Sequence, residues 1–312
     1  MSSSSIKPIY VEILIKAGMQ ELWDKTQDPR QHEQWDLRFS RIEYLPRTGA
    51  DAPQRFRYST KIGFGLCISG EGETSGRHLT EQERVSSLKF GSEQQISLIS
   101  VGSGYWKYVQ ETEGVRFLTL YNYKTRFGRA GQWLDRVCFR PLMGWATAWS
   151  FDCLRLWLER QIPPAESLRK SLTHALATLL LAMIWIYQGL VPKLLVPDSG
   201  EMEMLRGIPV LQGYEQIVLT GVGVGEILFG LAHLLWNKHK WLYLLNIIGL
   251  LVLGVGAISN ASVYLAPFNP VSLNLAMIGL AVTAMLSLQN LPSARACIRV
   301  KGSSAAERRE ST

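Results

Sequence analysis

Glu226 has the most unusual chemical surroundings in the chain, because residues 216–237 around it hold no other Asp, Glu, Lys or Arg. A carboxylate in such an apolar stretch is costly and normally faces a partner or a water-filled cavity. His233 follows two helical turns later on the same face, and His174 opens another apolar stretch. Together they are candidates for a polar path or for the head-group site of a quinone. The alternative is a neutral, hydrogen-bonded Glu226 that fixes helix packing, with both histidines at the boundary of the apolar layer.

Lys193 is a second charged group beside an apolar stretch, since it follows Pro192 at the end of residues 171–191. Its ammonium group either extends to the aqueous boundary or forms a salt bridge with an acid of the following loop. The acids available there are Glu201, Glu203 and Glu215. Both interpretations stay open on the sequence alone.

The elements that must position these residues are four apolar stretches, which predict a membrane domain. From Trp241 to Ala294 there is no charged residue, and a run of that length suffices for two helices of about 20 residues across a bilayer. The prolines of the segment Ala266–Pro270 predict the turn between them. The predicted spans are residues 171–191, 216–237, 241–266 and 271–291.

Lys and Arg near the ends of the spans predict the orientation of the membrane domain. The cations that flank the spans on one side are Arg160, Arg169, Lys170, Lys238, Lys240, Arg295, Arg299 and Lys301. The loops on the other side are acidic or uncharged. Because cationic loops stay on the cytoplasmic side, we expect a protein of the inner cell membrane with both termini in the cytoplasm.

Several short motifs of the membrane half occur together in one order. They are Gly189–Leu195 (GLVPKLL), Pro197 with Glu201, Gly223–Glu226 (GVGE), residues 267–271 (PFNPV) and Leu273 with Asn274. In this order they are similar to the DoxX-like four-helix membrane family, over about residues 170–292. Relatives in that family are associated with membrane redox systems, including a subunit of a thiosulfate:quinone oxidoreductase. The resemblance therefore implies a redox partner protein, and it assigns neither a cofactor nor a nucleophile to any matched position.

The first half of the chain predicts a separate α+β domain. Ile9, Val11, Ile13 and Ile15 alternate with polar residues, as in a half-buried strand. Two short helices are predicted at 19–26 and 29–35, then a run of strands, and then a long helix at 132–159 that is kinked at Pro141. This order resembles the helix-grip, START-like (SRPBCC) superfamily over residues 8–160, in which an antiparallel sheet surrounds a long C-terminal helix.

The predicted organisation is thus an α+β helix-grip domain followed by an all-α bundle of four transmembrane helices. We place the cytoplasmic domain at residues 1–162, the membrane domain at 168–295 and a basic cytoplasmic tail at 296–312. The linker between the two domains contains Pro163 and Pro164, so it is short and stiff.

The helix-grip resemblance implies an apolar cavity for lipids, sterols, polyketides or isoprenoids. The aromatic residues that could line it are Trp106, Tyr108, Phe117, Tyr121, Trp145 and Trp149. The alternative is that they form ordinary core. His32 and His78 stand among polar residues and are expected at the solvated surface. Asp36 could act as a general base if it faced the cavity, but we favour a role as a cap or salt-bridge partner.

Composition excludes other classes of site. Cys67, Cys138, Cys153 and Cys297 are scattered, without a CxxC pair or a histidine at metal-ligand spacing, so we predict no metal and no disulfide framework. The net charge of +7 is not gathered into a basic stripe, which argues against nucleic acid.

Two hypotheses of function follow from the sequence. In the first, the cytoplasmic domain binds an apolar small molecule of the lipid, isoprenoid or quinone type beside the membrane domain. In the second, the protein is a subunit of a membrane quinone-linked oxidoreductase with a polar intramembrane site at Glu226. No cofactor is predicted apart from the quinone of the second hypothesis. The expected partners are the lipid bilayer, an apolar ligand and a redox partner protein, and the sequence assigns no reaction.

Overall fold

Two compact units make up the protein in the computed structural model, which describes residues 7–47, 49, 52–63, 65–197, 200–207, 209–257 and 269–302. The first unit consists of two chain segments, one that ends at Ser167 and one that begins at Pro292. The second unit is formed by Leu168–Leu291. Residues 266–268 of the predicted turn Ala266–Pro270 lie outside the described residues, and so do residues 258–266 of the third predicted span and residues 303–312 of the predicted tail.

A seven-stranded antiparallel sheet forms the body of the first unit, with strand order β1-β7-β6-β5-β4-β3-β2. The strands from β2 to β7 form a meander, and β1 pairs with β7 at its far edge. The strands are β1 (Ile9–Ile15), β2 (Arg41–Tyr44), β3 (Arg55–Gly63), β4 (Leu66–Leu79), β5 (Glu83–Gly91), β6 (Ile99–Glu111) and β7 (Gly114–Thr125).

Two short helices, α1 (Met19–Gln27) and α2 (Pro29–Trp35), connect β1 to β2 as the sequence predicts. The carboxylate of Asp28 accepts a hydrogen bond of 2.9 Å from the backbone nitrogen of Arg30 and thereby caps α2. Pro29 occupies the first helical position, where a missing N–H group costs nothing.

The final helical segment of the first part is interrupted before its proline. It consists of α3 (Gly128–Leu134), one π-helical turn (Asp135–Phe139) and α4 (Arg140–Arg160). Pro141 stands in the first turn of α4. The sequence predicts a kink at Pro141, and the structure has a π-helical turn just before this proline, a feature that often accompanies a bend in a helix.

The face of the sheet that packs on α4 is aromatic. Phe117 of β7 stacks on Phe151 of α4, with ring centroids 4.3 Å apart, and on Tyr108 of β6 at 4.9 Å. Trp35 packs against the same cluster, and all four side chains are buried. Burial of each such side chain contributes about 1.5–3 kcal/mol. An antiparallel sheet packed on a long final helix is the helix-grip arrangement, so the predicted fold of this unit is confirmed.

Glycines on the same face make room for aromatic rings from neighbouring strands. A Cβ atom on Gly72 would lie 2.4 Å from the ring of Phe56, and one on Gly102 would lie 2.4 Å from the ring of Phe90. Gly70 accommodates Tyr58 in the same way. The aromatic rings therefore fill the space next to the strand backbone that a side chain at the glycine position would otherwise occupy.

Residues 292–302 return to the first unit after the last helix. Ile298 and Glu12 of β1 exchange two backbone hydrogen bonds, of 2.9 and 2.8 Å. Cys297 is fully buried, and its thiol donates a hydrogen bond to a carbonyl of α4. The sequence predicts a separate tail at 296–312. The structure corrects this for its described part, because the outer edge of β1 offers unpaired backbone groups to the returning chain.

The second unit is helical. Its helices are α5 (Pro164–Leu190, which begins in the first unit), α6 (Gly200–Arg206), α7 (Glu215–Leu235), α8 (Lys240–Ala257) and α9 (Pro270–Ser287). Among the described residues, three segments are long and apolar enough to cross a membrane, namely Pro164–Leu195, Glu215–Leu235 and Pro270–Ser287. In α8 the apolar stretch Lys240–Gly254 is shorter than these segments, and the remainder of the third predicted span lies outside the described residues.

Candidate functional site

Lys193 is buried in a π-helical turn, Val191–Leu195, at the end of α5. Its Nζ atom lies 2.8 Å from Oε2 of Glu201 in α6 and 2.9 Å from Oε2 of Glu226 in α7. At these distances both carboxylates form ion pairs with Lys193. Of the two interpretations that the sequence leaves open for Lys193, the structure contains the salt bridge, and it adds Glu226 to it.

Two glycines let α5 and α7 come close enough for this contact. A Cβ atom on Gly223 would lie 2.8 Å from the carbonyl oxygen of Gly189 and 2.9 Å from Cβ of Lys193. A Cβ atom on Gly189 would lie 2.3 Å from the carbonyl oxygen of Gly223. Small residues at such a crossing allow the backbones to touch. Glu226 is three residues beyond Gly223, which places its side chain on the helix face that meets α5.

The cluster of Lys193, Glu201 and Glu226 has one cation for two carboxylates. If both acids are ionised, it carries an excess negative charge in apolar surroundings, where such a charge is expensive. A proton or a second cation would remove that excess. The arrangement can therefore accept and release a proton at a fixed position in the membrane unit.

The two histidines meet around a tyrosine and not at Glu226. Nδ1 of His233 lies 2.9 Å from the carbonyl of Phe229, and Nδ1 of His174 lies 3.0 Å from the carbonyl of Ala284. Both rings pack against Tyr243, with centroids 5.7 and 5.9 Å away. A histidine that donates from Nδ1 to a carbonyl presents Nε2 as an acceptor. The histidines are thus a second polar group, distinct from the ion-paired cluster.

Sequence reasoning missed the uncharged polar residues of this second group. The hydroxyl groups of Tyr243 and Thr178 are joined by a hydrogen bond of 2.9 Å, and the indole nitrogen of Trp185 donates a hydrogen bond to the side-chain oxygen of Asn246 at 2.7 Å. All four side chains are buried. The available signal was the spacing of Tyr243 and Asn246, which puts two polar side chains on one face of a charge-free helix. Because neither residue is charged, the pattern does not stand out when only charged residues are considered.

The first unit holds a buried ion pair between Asp36 and Arg38. Nε of Arg38 lies 2.9 Å from Oδ1 of Asp36, and a guanidinium nitrogen lies 2.6 Å from Oδ2. His32 contacts the same Oδ2 at 2.9 Å and stacks on Trp35. The favoured role of Asp36 as a salt-bridge partner agrees with this geometry. His32 is largely buried, which corrects its expected place at the solvated surface, because its ring fills the gap between Asp36 and the aromatic core.

The charge state of this pair follows from its surroundings. Burial by itself would raise the pKa of Asp36, but the charge and hydrogen bonds of Arg38 and His32 outweigh burial and hold the pKa well below its usual range. Asp36 therefore remains ionised at neutral pH, and it lacks the raised pKa that a general base would need. Its role is to hold Arg38, whose guanidinium carbon lies 5.6 Å from the ring centroid of Tyr121.

Five of the six aromatic residues predicted to line a cavity lie in the core of the first unit, and the sixth is exposed. Trp106, Tyr108, Phe117, Tyr121 and Trp149 are buried in the core of the first unit. Trp145 is 44% exposed and points away from that core. Phe39, which is next to Arg38, and Phe90, whose ring centroid lies 6.5 Å from that of Tyr121, are only half-buried. Among the described residues there is no group of three His, Cys, Asp or Glu side chains that could hold a metal ion.

The two units together define the class of the protein. It is a membrane protein with a soluble α+β domain of the helix-grip fold. Comparison with known proteins gives the family. The model of the DoxX-like family matches residues 182–282. The uncharacterized membrane protein YndG of Bacillus subtilis (strain 168) is 44% identical over 238 residues, which cover 76% of this chain and 80% of YndG. The chain belongs to the family of YndG, and its residues 182–282 match the DoxX-like family.

Solved structures resemble the first unit. The di-domain ARO/CYC StfQ from the steffimycin biosynthetic pathway has a TM-score of 0.36 at 14% identity, over 49% of this chain, and the chain spans about half (51%) of StfQ. Hypothetical protein jhp0584 from Helicobacter pylori has a TM-score of 0.38 at 14% identity, covering 50% of this chain and 91% of jhp0584. Scores of this size carry no argument about function, and the fold assignment rests on the strand order and the final helix.

The buried pair in the first unit predicts a large loss of stability when one partner is removed. Replacing Arg38 with Gln leaves the Asp36 carboxylate buried without its counter-charge, so we expect a loss of about 3–5 kcal/mol. Replacing Asp36 with Asn in the same chain should restore part of the loss. The measurement is denaturant unfolding of the full chain in detergent, followed by the reactivity of the buried thiols Cys153 and Cys297.

The matched control is Arg55→Gln, which breaks an exposed ion pair between Arg55 and Glu71. Exposed pairs contribute at most about 1 kcal/mol. If Arg38→Gln proved no more costly than Arg55→Gln, the inner pair would not be an organising interaction of the domain.

Proposed function

We propose that this membrane protein binds an apolar small molecule of the lipid, isoprenoid or quinone type in its helix-grip unit. The observation that supports the proposal is one anchored cation on an aromatic inner face. Arg38 is fixed by Asp36 and lies beside the rings of Phe39 and Tyr121, 5.5 and 5.6 Å from their centroids. An apolar site with few, well-placed polar groups is the usual composition of a ligand pocket.

The proposed entrance lies on the side of Phe39 and Phe90. Both rings are half-buried, whereas the rings at the other end of the face are closed off by α4. The ring of Phe90 lies over Gly102, where no side chain of that strand fills the space. A ligand that enters here would present its polar end to Arg38 and its apolar part to the rings.

The test is extraction of the purified full chain with organic solvent and identification of the extract by mass spectrometry. We expect one class of apolar molecule in near-stoichiometric amount, and we expect Phe90→Trp to reduce it several-fold because the larger ring fills the entrance. Val101→Trp is the matched control, since Val101 is exposed on the other face of the sheet. No recurrent molecule from several host cells, or equal loss in both variants, would contradict the proposal.

A second candidate function is that of a subunit in a quinone-linked oxidoreductase. The specific observation that favours it is the cluster of Lys193, Glu201 and Glu226, which can take up a proton inside the membrane unit. Reduction of a quinone consumes protons, so a proton-accepting group near the apolar layer suits that chemistry. A redox partner protein would supply the electrons in this case.

The second candidate predicts that Glu226→Gln lowers the amount of quinone bound by the full chain about tenfold, the usual scale for loss of one buried charge-assisted hydrogen bond. Quinone binding is measured by absorbance of the extract and by titration in detergent. Glu203→Gln is the control, because Glu203 lies on α6 two residues from Glu201 of the cluster but is exposed. Equal quinone binding by both variants and the wild type would assign the cluster to packing alone.

We also propose that the protein lies in the inner membrane with both termini in the cytoplasm. The charges that flank the spans support this orientation. A second support is connectivity: the chain before Leu168 and the chain after Leu291 belong to one folded unit. A folded unit lies on one side of a bilayer, so the helices between those residues must cross it an even number of times. Three described segments are candidate spans, so we assign the fourth crossing to the predicted span 241–266, whose described part lies in α8.

Reporter fusions test this orientation. A green fluorescent protein fused after residue 302 should fluoresce, and alkaline phosphatase inserted between Leu211 and Tyr214 should be active, because the first folds in the cytoplasm and the second outside it. The reverse pattern, or activity of phosphatase at both sites, would require an odd number of crossings or the opposite orientation.

A further inference from the structure

The segment from Phe127 to Trp145 exposes an apolar face on the first unit. Trp133 and Val137 are 65% and 59% exposed. Leu134, Cys138, Leu142 and Trp145 follow one another at steps of three or four residues, which places them along one side of the helical segment. The large apolar side chains exposed here are Phe127, Trp133, Leu134, Val137, Leu142 and Trp145. Contiguous exposed patches of this kind mark interaction surfaces.

The same segment is strongly cationic. Between Lys124 and Trp145 the cations are Lys124, Arg126, Arg129, Arg136 and Arg140, and the one acid is Asp135. Asp135 is buried, with Arg140 at 2.8 Å and the hydroxyl of Tyr123 at 2.7 Å, so it does not offset the cations at the surface. Arg129 and Arg136 are exposed beside the apolar side chains.

Tryptophans and arginines that border an apolar helix face match the chemistry of one partner, the head-group region of a bilayer. Indole rings favour the membrane interface, and cations are attracted to anionic lipid heads. A protein partner of the same charge pattern would need an acidic surface with an apolar centre, and nothing else in the chain suggests one. A bilayer, by contrast, is always within reach.

The connectivity of the chain allows the exposed face to contact the bilayer. Three residues separate the end of α4 at Arg160 from the start of the spanning segment Pro164–Leu195. The exposed face begins at the other end of α4, and Trp145 precedes Arg160 by about 22 Å at 1.5 Å per residue. A helix tethered to the membrane at one end and apolar at the other can lie along the surface without extending its linker.

We propose that the face formed by Phe127, Trp133, Leu134, Val137, Leu142 and Trp145 inserts into the head-group region of the membrane that the protein itself spans, and that Arg129 and Arg136 favour anionic lipid there. The helix-grip unit is then held against the bilayer by a second attachment besides its linker. The proposal does not depend on which small molecule the unit binds.

The test uses the full chain in nanodiscs and its own thiol at Cys138, which is exposed within the face. Cys67 is replaced by Ser, and Cys153 and Cys297 are buried, so a fluorescent maleimide labels position 138. Nitroxide groups on lipid acyl chains should quench this label about threefold more than a label at position 113, as expected for a side chain at the interface. Glu113→Cys, on the Cys67→Ser, Cys138→Ser chain, provides that control in the exposed turn between β6 and β7.

Charge reversal separates insertion from simple proximity. Arg129→Glu with Arg136→Glu should lower the quenching at 138 in discs with anionic lipid and should leave discs of phosphatidylcholine alone nearly unchanged, because each cation near an anionic surface changes the bound-to-free ratio by about fivefold. Equal quenching at positions 138 and 113 would overturn the proposal. Protection of the label at 138 that persists in detergent and rises with protein concentration would assign the face to contact between copies of the chain, which would also overturn it.

Discussion

A charge buried away from water needs an opposite charge beside it, and each unit of this protein is organised around one such pairing. In the first unit Arg38 and Asp36 pair inside a largely aromatic interior. In the second, Lys193 pairs with Glu201 and Glu226. Removal of either charge leaves the other exposed to a low dielectric, which costs several kcal/mol. The elements that carry the partners are therefore fixed relative to one another within each unit, and the polar group of each candidate site is set in place before a ligand arrives.

Glycine makes the pairing in the second unit geometrically feasible and makes room for aromatic rings in the first unit. Gly189 and Gly223 bring the backbones of α5 and α7 into contact, so that the short carboxylate of Glu226 meets the long side chain of Lys193. On the inner face of the sheet, Gly102 leaves space for the ring of Phe90, whose centroid lies 6.5 Å from that of Tyr121. In both units the absence of a side chain at one position decides where a functional side chain at another position can lie.

The return of the chain to the first unit links the two halves of the sequence. Ile298 completes the outer edge of β1, and Cys297 fills a gap on α4. The last membrane helix is thus followed by a segment that belongs to the soluble fold. Truncation before residue 292 would remove part of the folded first unit and not a dispensable tail, because an edge strand would lose its partner. The predicted division into three segments gives way to two units, one of which is discontinuous in sequence.

The sequence by itself determined the two classes of unit, most of the helices and strands, and the residues of the ion-paired cluster. It could do so because alternation and charge-free runs are local properties of the chain, and because an acid or a lysine in an apolar stretch stands out against its neighbours. It did not determine that Glu226 meets Lys193 and not His233, that His32 is buried, that Tyr243 and Asn246 form a polar group, or that Ile298 pairs with Glu12. Those results depend on contacts between residues far apart in the chain, and such contacts exist only after the helices and strands have packed.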